Sequence, residues 1–420
     1  MTGKRKRKLA MPDTLIIVAS VVLLVAILSW IIPSGTYDYQ EMNINGRIRN
    51  VAIDGTYHTI DKSEVTTTGF LGFFSVLYRG CVEAADVIFM ILCCCGTFGV
   101  VVKTGAFHAG IGTILKKLKG KEILLVPIIM MIFGLGGSVF GMASEFYGFY
   151  PLIVGLGVAL GYDAMFGFAI IAVGEFVGFM GATLNPYSVG IAQTISGVEL
   201  YSGTGYRAIC FVIFMAISII YVMVYGRKIK KNPGASVVFG EKNIHAFDRD
   251  ELNEYSFTLK DGLVLLDVLV VLVVLMLGLI KWGWDFPQLC GLFLLMSMIA
   301  AAICKWSPNK WCSEFIDSAK TAMWGCILTG IAKAITVVMQ DAQIMDTVIY
   351  GLSNVLKNAP HAVSAQVMLV VQTLINFFIP SATGQASATM PIMAQLADII
   401  GVSRQTAVLA FQFGDGLSNI

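Results

Sequence analysis

Apolar runs recur along the chain at about 14–32, 84–104, 122–138, 150–180, 205–226, 260–281, 286–304, 318–339, 362–380 and 390–414. A helix crossing the roughly 30 Å hydrocarbon core of a bilayer needs about 20 mainly apolar residues. Only helices and closed barrels satisfy their backbone groups in lipid. The pattern therefore predicts an all-α polytopic membrane protein. Glycine, proline and acids interrupt several runs, which predicts broken helices and re-entrant hairpins. The first run, Thr14 to Ile32, exceeds a signal-peptide core and no small-residue cleavage site follows it, so it reads as an uncleaved membrane helix.

The polar intervals divide the chain. Residues 1–13 carry Lys4, Arg5, Lys6, Arg7 and Lys8 and read as a basic cytoplasmic N-terminus under the positive-inside rule. Residues 14–226 form a first transmembrane repeat. Its external loop, 35–68, contains the turn signals Asn45-Gly46 and Asp54-Gly55 of a β-hairpin. Residues 227–258 open with Arg227, Lys228, Lys230 and Lys231 and turn acidic through Asp248, Asp250, Glu251 and Glu254, as a cytoplasmic linker would. A connecting membrane helix at 259–283 precedes a second repeat at 284–420.

Two features point to inverted-topology repeats. The segment 103–121 carries Lys103, Lys116, Lys117, Lys119 and Lys121, whereas 340–358 carries Lys357 against Asp341 and Asp346. Pro151, Gly161 and Gly174-Glu175 also recur at a constant offset of 240, as Pro391, Gly401 and Gly414-Asp415.

Composition agrees. Hydrophobic residues make up 56% and charged residues 13%, against roughly 25% charged in soluble domains. A net charge of +2 gives no reason to expect a nucleic-acid partner. The nine cysteines lack zinc-ligand spacing, and Cys93, Cys94 and Cys95 read as small packing residues. His58, His108, His245 and His361 fall in loops or at helix ends, so no nucleophile–base constellation is legible. No phosphate-binding G-x-x-x-x-G-K-[ST] loop occurs. No enzyme activity, metal or organic cofactor is expected.

Interrupted helices at membrane depth leave backbone groups for a solute or ion to satisfy. Four segments fit: 134–151, 174–193, 380–391 and 414–419. Within them Ser144, Glu145, Thr183, Asn185, Pro186, Thr383, Gly384, Gln385, Ser387, Thr389, Asp415, Ser418 and Asn419 are the substrate-binding candidates. The charge-free run 381–389 is expected to be an irregular hairpin tip. Glu145, Glu175 and Asp415 lie in apolar surroundings and are the coupling-ion candidates, because a buried acid is costly in lipid. Asp86, Asp163, Asp267 and Asp317 fall near predicted helix ends. Lys320 and Lys333 are possible counter-ions on one span.

The run Ser381-Ala382-Thr383-Gly384-Gln385-Ala386-Ser387-Ala388-Thr389-Met390-Pro391, the segment Ser403 to Gly416, Asn185 to Gln193, and Gly161-Tyr162-Asp163 together resemble the YfcC-like branch of the anaerobic dicarboxylate carrier (DcuC) family. The resemblance implies an ion-transporter-superfamily fold with two hairpins. It also implies substrates among four-carbon dicarboxylates or amino acids, basic ones in this branch. Its hairpin tips would fall at 143–145 and 383–387, and its neighbouring breaks at 183–186 and 414–419. Two positions depart from the family pattern: Ser144-Glu145 replaces two adjacent acids, and Glu175 is an additional acid. The family motif at 414–419 normally leads into a last membrane helix, so the second repeat reads as truncated.

The expectation is a secondary active transporter, symporter or antiporter, for a small charged organic solute, dicarboxylate or amino acid. It would be coupled to Na+ or H+ and work by alternating access in the bacterial inner membrane, as a homodimer. A channel, a membrane-embedded enzyme and a structural subunit are the rival readings. A channel would show neither saturation nor counter-flow.

Overall fold

α1 (Thr14–Ile31) begins where Asp13 accepts the Leu15 N–H at 2.9 Å. The computed structural model describes residues 13–44, 47–53, 55–110, 113, 122–239, 257–357 and 363–418. The basic cluster at 4–8, the turn residues Asn45, Gly46 and Asp54, and Lys116, Lys117, Lys119 and Lys121 lie outside the described residues. So do His245, Asp248, Asp250, Glu251, Glu254, His361 and Asn419.

After α1 come four short strands in two antiparallel pairs. β1 (Ser34–Thr36) pairs with β4 (His58–Ile60), and β2 (Tyr39–Ile44) with β3 (Arg47–Ala52). These strands lie between 34 and 60, in the loop where a β-hairpin is expected, and the membrane body is helical. The remaining helices are α2 (Phe70–Glu83), α3 (Ala85–Lys103), α4 (Leu125–Leu135), α5 (Tyr150–Ala159), α6 (Ala164–Gly181), α7 (Val189–Ile195), α8 (Thr204–Lys231) and α9 (Leu259–Lys281). They continue with α10 (Phe286–Ile303), α11 (Pro308–Ala319), α12 (Met323–Asp341), α13 (Met345–Lys357), α14 (Ser364–Phe378), α15 (Ala382–Ile399) and α16 (Arg404–Ser418). Six described stretches are long and apolar enough to cross a bilayer: α1, α3, α6, α8, α10 and the continuous Pro308–Asp341.

Two predicted spans divide. The run 150–180 is α5 and α6, separated by Gly161 at φ +82° with Asp163 capping α6. The run 390–414 is the end of α15 and most of α16, separated by Gly401 at φ +70°. A left-handed glycine ends a helix where a side chain would be strained, and hydropathy alone does not register that.

The repeat is structural. Residues 70–103 and 308–341 are equally long, and each bends once, at Ala84 and at Lys320–Ala322. Each is followed by a left-handed residue, Gly105 at φ +85° or Gln343 at φ +46°. The N–H of that residue donates to the carbonyl three residues earlier, at 3.0 Å in both cases. The two segments pack antiparallel. Going along the first, Arg79 pairs with Asp341, Gly80 sits on the backbone of Gly330 and Ala334, Gly99 faces Ser318, and Lys103 pairs with Glu314. Arg79 and Lys103 are about 36 Å apart at the helical rise of 1.5 Å per residue, so the ion pairs fall near the two faces of a bilayer. Equivalent segments running in opposite directions are inverted-topology units.

The units match again further on. In the first, α4 leads to a break, then α5, Gly161 and α6. In the second, α14 leads to a break, then α15, Gly401 and α16. The β-loop of the first unit is seated on the second. Ser34 Oγ donates to Ala342 O at 2.7 Å and Gly35 N–H to Gln343 O at 2.8 Å. The Asp346 carboxylate accepts from Thr36 Oγ1 (3.1 Å), the Tyr37 N–H (3.0 Å) and the Tyr39 hydroxyl (2.8 Å). Tyr57 stacks on Tyr350 with ring centroids 4.1 Å apart. Val51 and Ala52 join the core formed by Met390, Met393 and Leu396 of α15.

Candidate functional site

Helix α4 ends in glycines. Gly136–Phe140 form one wide π turn, and Gly141 at φ +67° terminates it. The reason lies on α6. A Cβ on Gly137 would stand 2.6 Å from Glu175 O, and one on Gly174 would stand 2.9 Å from Met130 O. Glycine contacts let two membrane helices approach backbone to backbone. The close approach brings the break at 141–143 against the one that follows α6.

That second break runs from Ala182 (φ +28°) to Ser188. The Thr183 N–H donates to Ser138 Oγ at 3.0 Å and the Leu184 N–H to Ser138 O at 3.2 Å. Asn185 is fully buried. Its Oδ1 accepts the N–H groups of Tyr187 (2.9 Å) and Ser188 (3.2 Å), and its Nδ2 donates to Gly137 O at 3.4 Å. Ser138 and Asn185 thus tie the two breaks of the first unit together. Pro186 follows it within the non-helical stretch.

In the second unit the break after α14 is confined to Ile379–Ser381, and the break expected at 414–419 is instead helical through Ser418, the last described residue of α16. The irregular tip expected over 381–389 is instead the first two turns of α15. Ser381 caps the helix by accepting the Gly384 N–H at 3.3 Å. Ser387 Oγ donates to Thr383 O at 2.9 Å, and Thr389 Oγ1 to Gln385 O at 2.8 Å. Hydroxyls that back-bond to the preceding turn are compatible with a helix, so a polar composition did not signal irregular backbone. Gln385 is buried and donates to Gln372 O (2.9 Å) and Gln372 Oε1 (2.7 Å).

The two units meet beside their breaks. Thr383 Oγ1 donates to Tyr187 O at 2.9 Å, and Gln412 Nε2 on α16 donates to Phe179 O on α6 at 2.9 Å. Gly416 lies against Met180.

The coupling-ion candidates divide between the units. Glu145 is buried in a 3-10 turn and accepts the Ala143 N–H at 2.9 Å. Glu175 is buried on α6, accepts from the Tyr150 hydroxyl at 3.1 Å, and lies within electrostatic range of Glu145. Asp415 is buried on α16, at the position matching Glu175. Its carbonyl accepts from Asn376 Nδ2 at 3.2 Å, and the same amide donates to Ser418 Oγ at 2.8 Å. Of the lysines, Lys320 pairs with Asp317 at the surface and Lys333 is half-buried on α12. The Ser144 side chain lies outside the description.

The sequence reading missed Ser138, Tyr187, Asn376, Gln412 and, above all, Arg207. Arg207 is 1% exposed, near the start of α8. A single basic residue beside the edge of an apolar run reads as interfacial. The legible signal is its place shortly after the Asn185-Pro186 break.

Crossed broken helices with buried acids, inside a body of membrane-length helices, define a multi-pass membrane transporter. The chain belongs to the C4-dicarboxylate anaerobic carrier (DcuC) family, whose model matches residues 11–420. It is 33% identical to the Escherichia coli (strain K12) protein named "Putative basic amino acid antiporter YfcC", over 100% of this chain and 89% of that one. It is 28% identical to an uncharacterized Haemophilus influenzae protein, over 98% of this chain and 89% of the relative. Among solved structures it is similar to the Alcanivorax borkumensis YdaH transporter, with TM-score 0.43, 13% identity, and 97% and 88% of the two chains covered. It is also similar to Neisseria gonorrhoeae MtrF, assigned to a class of antimetabolite efflux pumps, with TM-score 0.45, 14% identity and 98% and 86% coverage.

Proposed function

We propose that the chain is a secondary active carrier that moves a small charged organic solute, an amino acid with a basic side chain in the favoured reading, by alternating access between its two inverted units. The observation that carries this is the hydrogen bonding of the two units to each other beside their breaks, Thr383 of α15 to Tyr187 and Gln412 of α16 to Phe179 of α6. A solute seated there touches both units, so its binding energy can bias their relative position, as alternating access requires.

The charge balance favours a cationic group. Three buried acids, Glu145, Glu175 and Asp415, line the two units, whereas the charge of Arg207 is taken up by protein oxygens. The N-terminal turn of α15, opening at Ser381 and Thr383, suits a carboxylate. The relative named as a basic amino acid antiporter supports the same choice. In this reading Na+ or H+ couples through Glu175 or Asp415, and the chain sits in the bacterial inner membrane with its N-terminus in the cytoplasm.

Counter-flow in proteoliposomes tests the proposal. Vesicles loaded with unlabelled solute are offered labelled arginine, lysine or succinate, with and without a sodium or proton gradient. Saturable accumulation of a basic amino acid is the expected result. Accumulation of succinate alone would reverse the assignment of charge, and flux without saturation or counter-flow would make the protein a channel.

A further inference from the structure

We propose that Arg207 is a tethered cation: its guanidinium fills an oxygen cage at the broken end of α6 that would otherwise take up a free cation, and it thereby holds the irregular segment Thr183–Asn185 in place. Four oxygens converge on the group. Nε donates to Ala182 O at 3.0 Å, Nη1 to Ser202 O at 2.8 Å, and Nη2 to Thr183 O at 3.2 Å and Thr204 Oγ1 at 3.1 Å. Three of the four are backbone carbonyls. Among the described residues no carboxylate lies within ion-pair distance of Arg207.

A helix C-terminus carries partial negative charge and carbonyls without intrahelical donors. At the surface water satisfies them. Here the α6 end is buried, with Ala182 wholly inaccessible. Carbonyls, a hydroxyl and a helix C-terminus are the donors that transporters offer to inorganic cations. In this chain a covalently attached planar cation occupies that position. Its forked donors fix two successive carbonyls, Ala182 and Thr183, and a compact ammonium cannot span the same set. The strained backbone at Ala182, φ +28°, is held from both sides, by Arg207 on its carbonyl and by Ser138 on the next N–H.

Two consequences follow. Free cations do not bind at this end of α6 in the native protein, which leaves cation coupling to the acids. Arg207 is also a positioning residue for Thr183 and Asn185, and this part rests on the reading of the break as the solute site.

The test begins with purified Arg207→Ala, without any solute. Its unfolding temperature is measured with millimolar guanidinium, sodium or urea, the last being a neutral molecule of the same shape. The proposal predicts a lower midpoint than wild type and a recovery of several degrees by guanidinium or sodium, larger than any shift of wild type under the same ions, but not by urea. Equal responses to urea and guanidinium, no response to any, or an unaltered midpoint would each overturn it. Should Arg207→Ala fail to fold, Thr204→Val removes one oxygen of the cage and leaves the arginine. It should lower the midpoint by a smaller step and bring no cation response, and an unchanged midpoint would overturn the cage. The transport arm is separate. Arg207→Lys in proteoliposomes is expected to raise KM about tenfold with Vmax within about twofold, tenfold being about 1.4 kcal/mol. Cation recovery with an unchanged KM would leave the cage standing and remove the solute from this break.

Discussion

Gly137→Ala places a methyl group in the close contact between the π turn that ends α4 and the backbone of α6. The added Cβ would lie 2.6 Å from Glu175 O and 2.9 Å from Phe179 N. Both are backbone atoms, so no rotamer change relieves the contact. Reaching ordinary contact requires α4 and α6 to part by about 0.8 Å, an overpacking that costs roughly 1–3 kcal/mol. Alanine over glycine within a helix returns about 0.5–1 kcal/mol, so a net destabilisation remains. The same separation draws Ser138 away from Thr183 and Gly137 O away from Asn185, and hence opens the break proposed to seat the solute. The control is Gly291→Ala in α10, where a Cβ meets nothing within 4 Å and where only the helix gain of about 0.5–1 kcal/mol applies. Thermal unfolding of both variants in detergent, with counter-flow in proteoliposomes, reads the difference. Gly137→Ala is expected to unfold at a lower temperature and to lose most of its transport, while Gly291→Ala matches or exceeds wild type in stability. Equal melting and transport for the two variants would refute the backbone-to-backbone packing of α4 on α6.

Asp346→Ala removes the carboxylate that accepts from Thr36, Tyr37 and Tyr39 and should destabilise the seating of the β-loop by about 2–3 kcal/mol; limited proteolysis between 34 and 60 should quicken, and an unchanged cleavage rate would contradict the clamp. Burial, and then the charge and hydrogen bond of Asp346, push the Tyr39 phenol above its ordinary value of 10.0. A raised folded value stabilises the protonated form, so this contribution is complete below about pH 10 and declines as pH rises above it. Proteolysis of the loop in wild type should therefore accelerate in strong alkali, and Tyr39→Phe should remove that dependence. Reversing the Arg79–Asp341 pair by exchanging the two residues should restore most of what either single reversal loses, at most about 1 kcal/mol for so exposed a pair. A double-mutant cycle with no coupling would leave the antiparallel register unsupported. Asp415→Asn or Glu175→Gln should abolish gradient-driven accumulation while leaving insertion intact, and full accumulation by both variants would discard the acids as coupling groups.

Much of this was legible before the structure. Long apolar runs mark the membrane helices because lipid admits little else. The paired Gly161 and Gly401 marked the repeat because a left-handed turn constrains residue type directly. The offset pairing of Glu175 with Asp415 put both acids on matching helices. Other features depend on partners distant in sequence. The segment Phe70–Glu83 is only moderately apolar, and its place as the counterpart of 308–319 rests on contacts with α12. The helical state of 382–389 depends on hydroxyls turning back onto Thr383 and Gln385 carbonyls, which composition does not reveal. Arg207 gave no signal of its own because the carbonyls that surround it carry no sequence signature.

The central claim is that one solute seats between the breaks of both units. In a background freed of native cysteines, Leu184→Cys and Ser381→Cys place a thiol at each break, at positions that are exposed in the structure. Maleimide labelling of each variant is followed across a range of arginine concentrations. The account predicts protection of both thiols with the same half-maximal concentration. Protection of one thiol and not the other, or of neither by a solute that the protein transports, would contradict it.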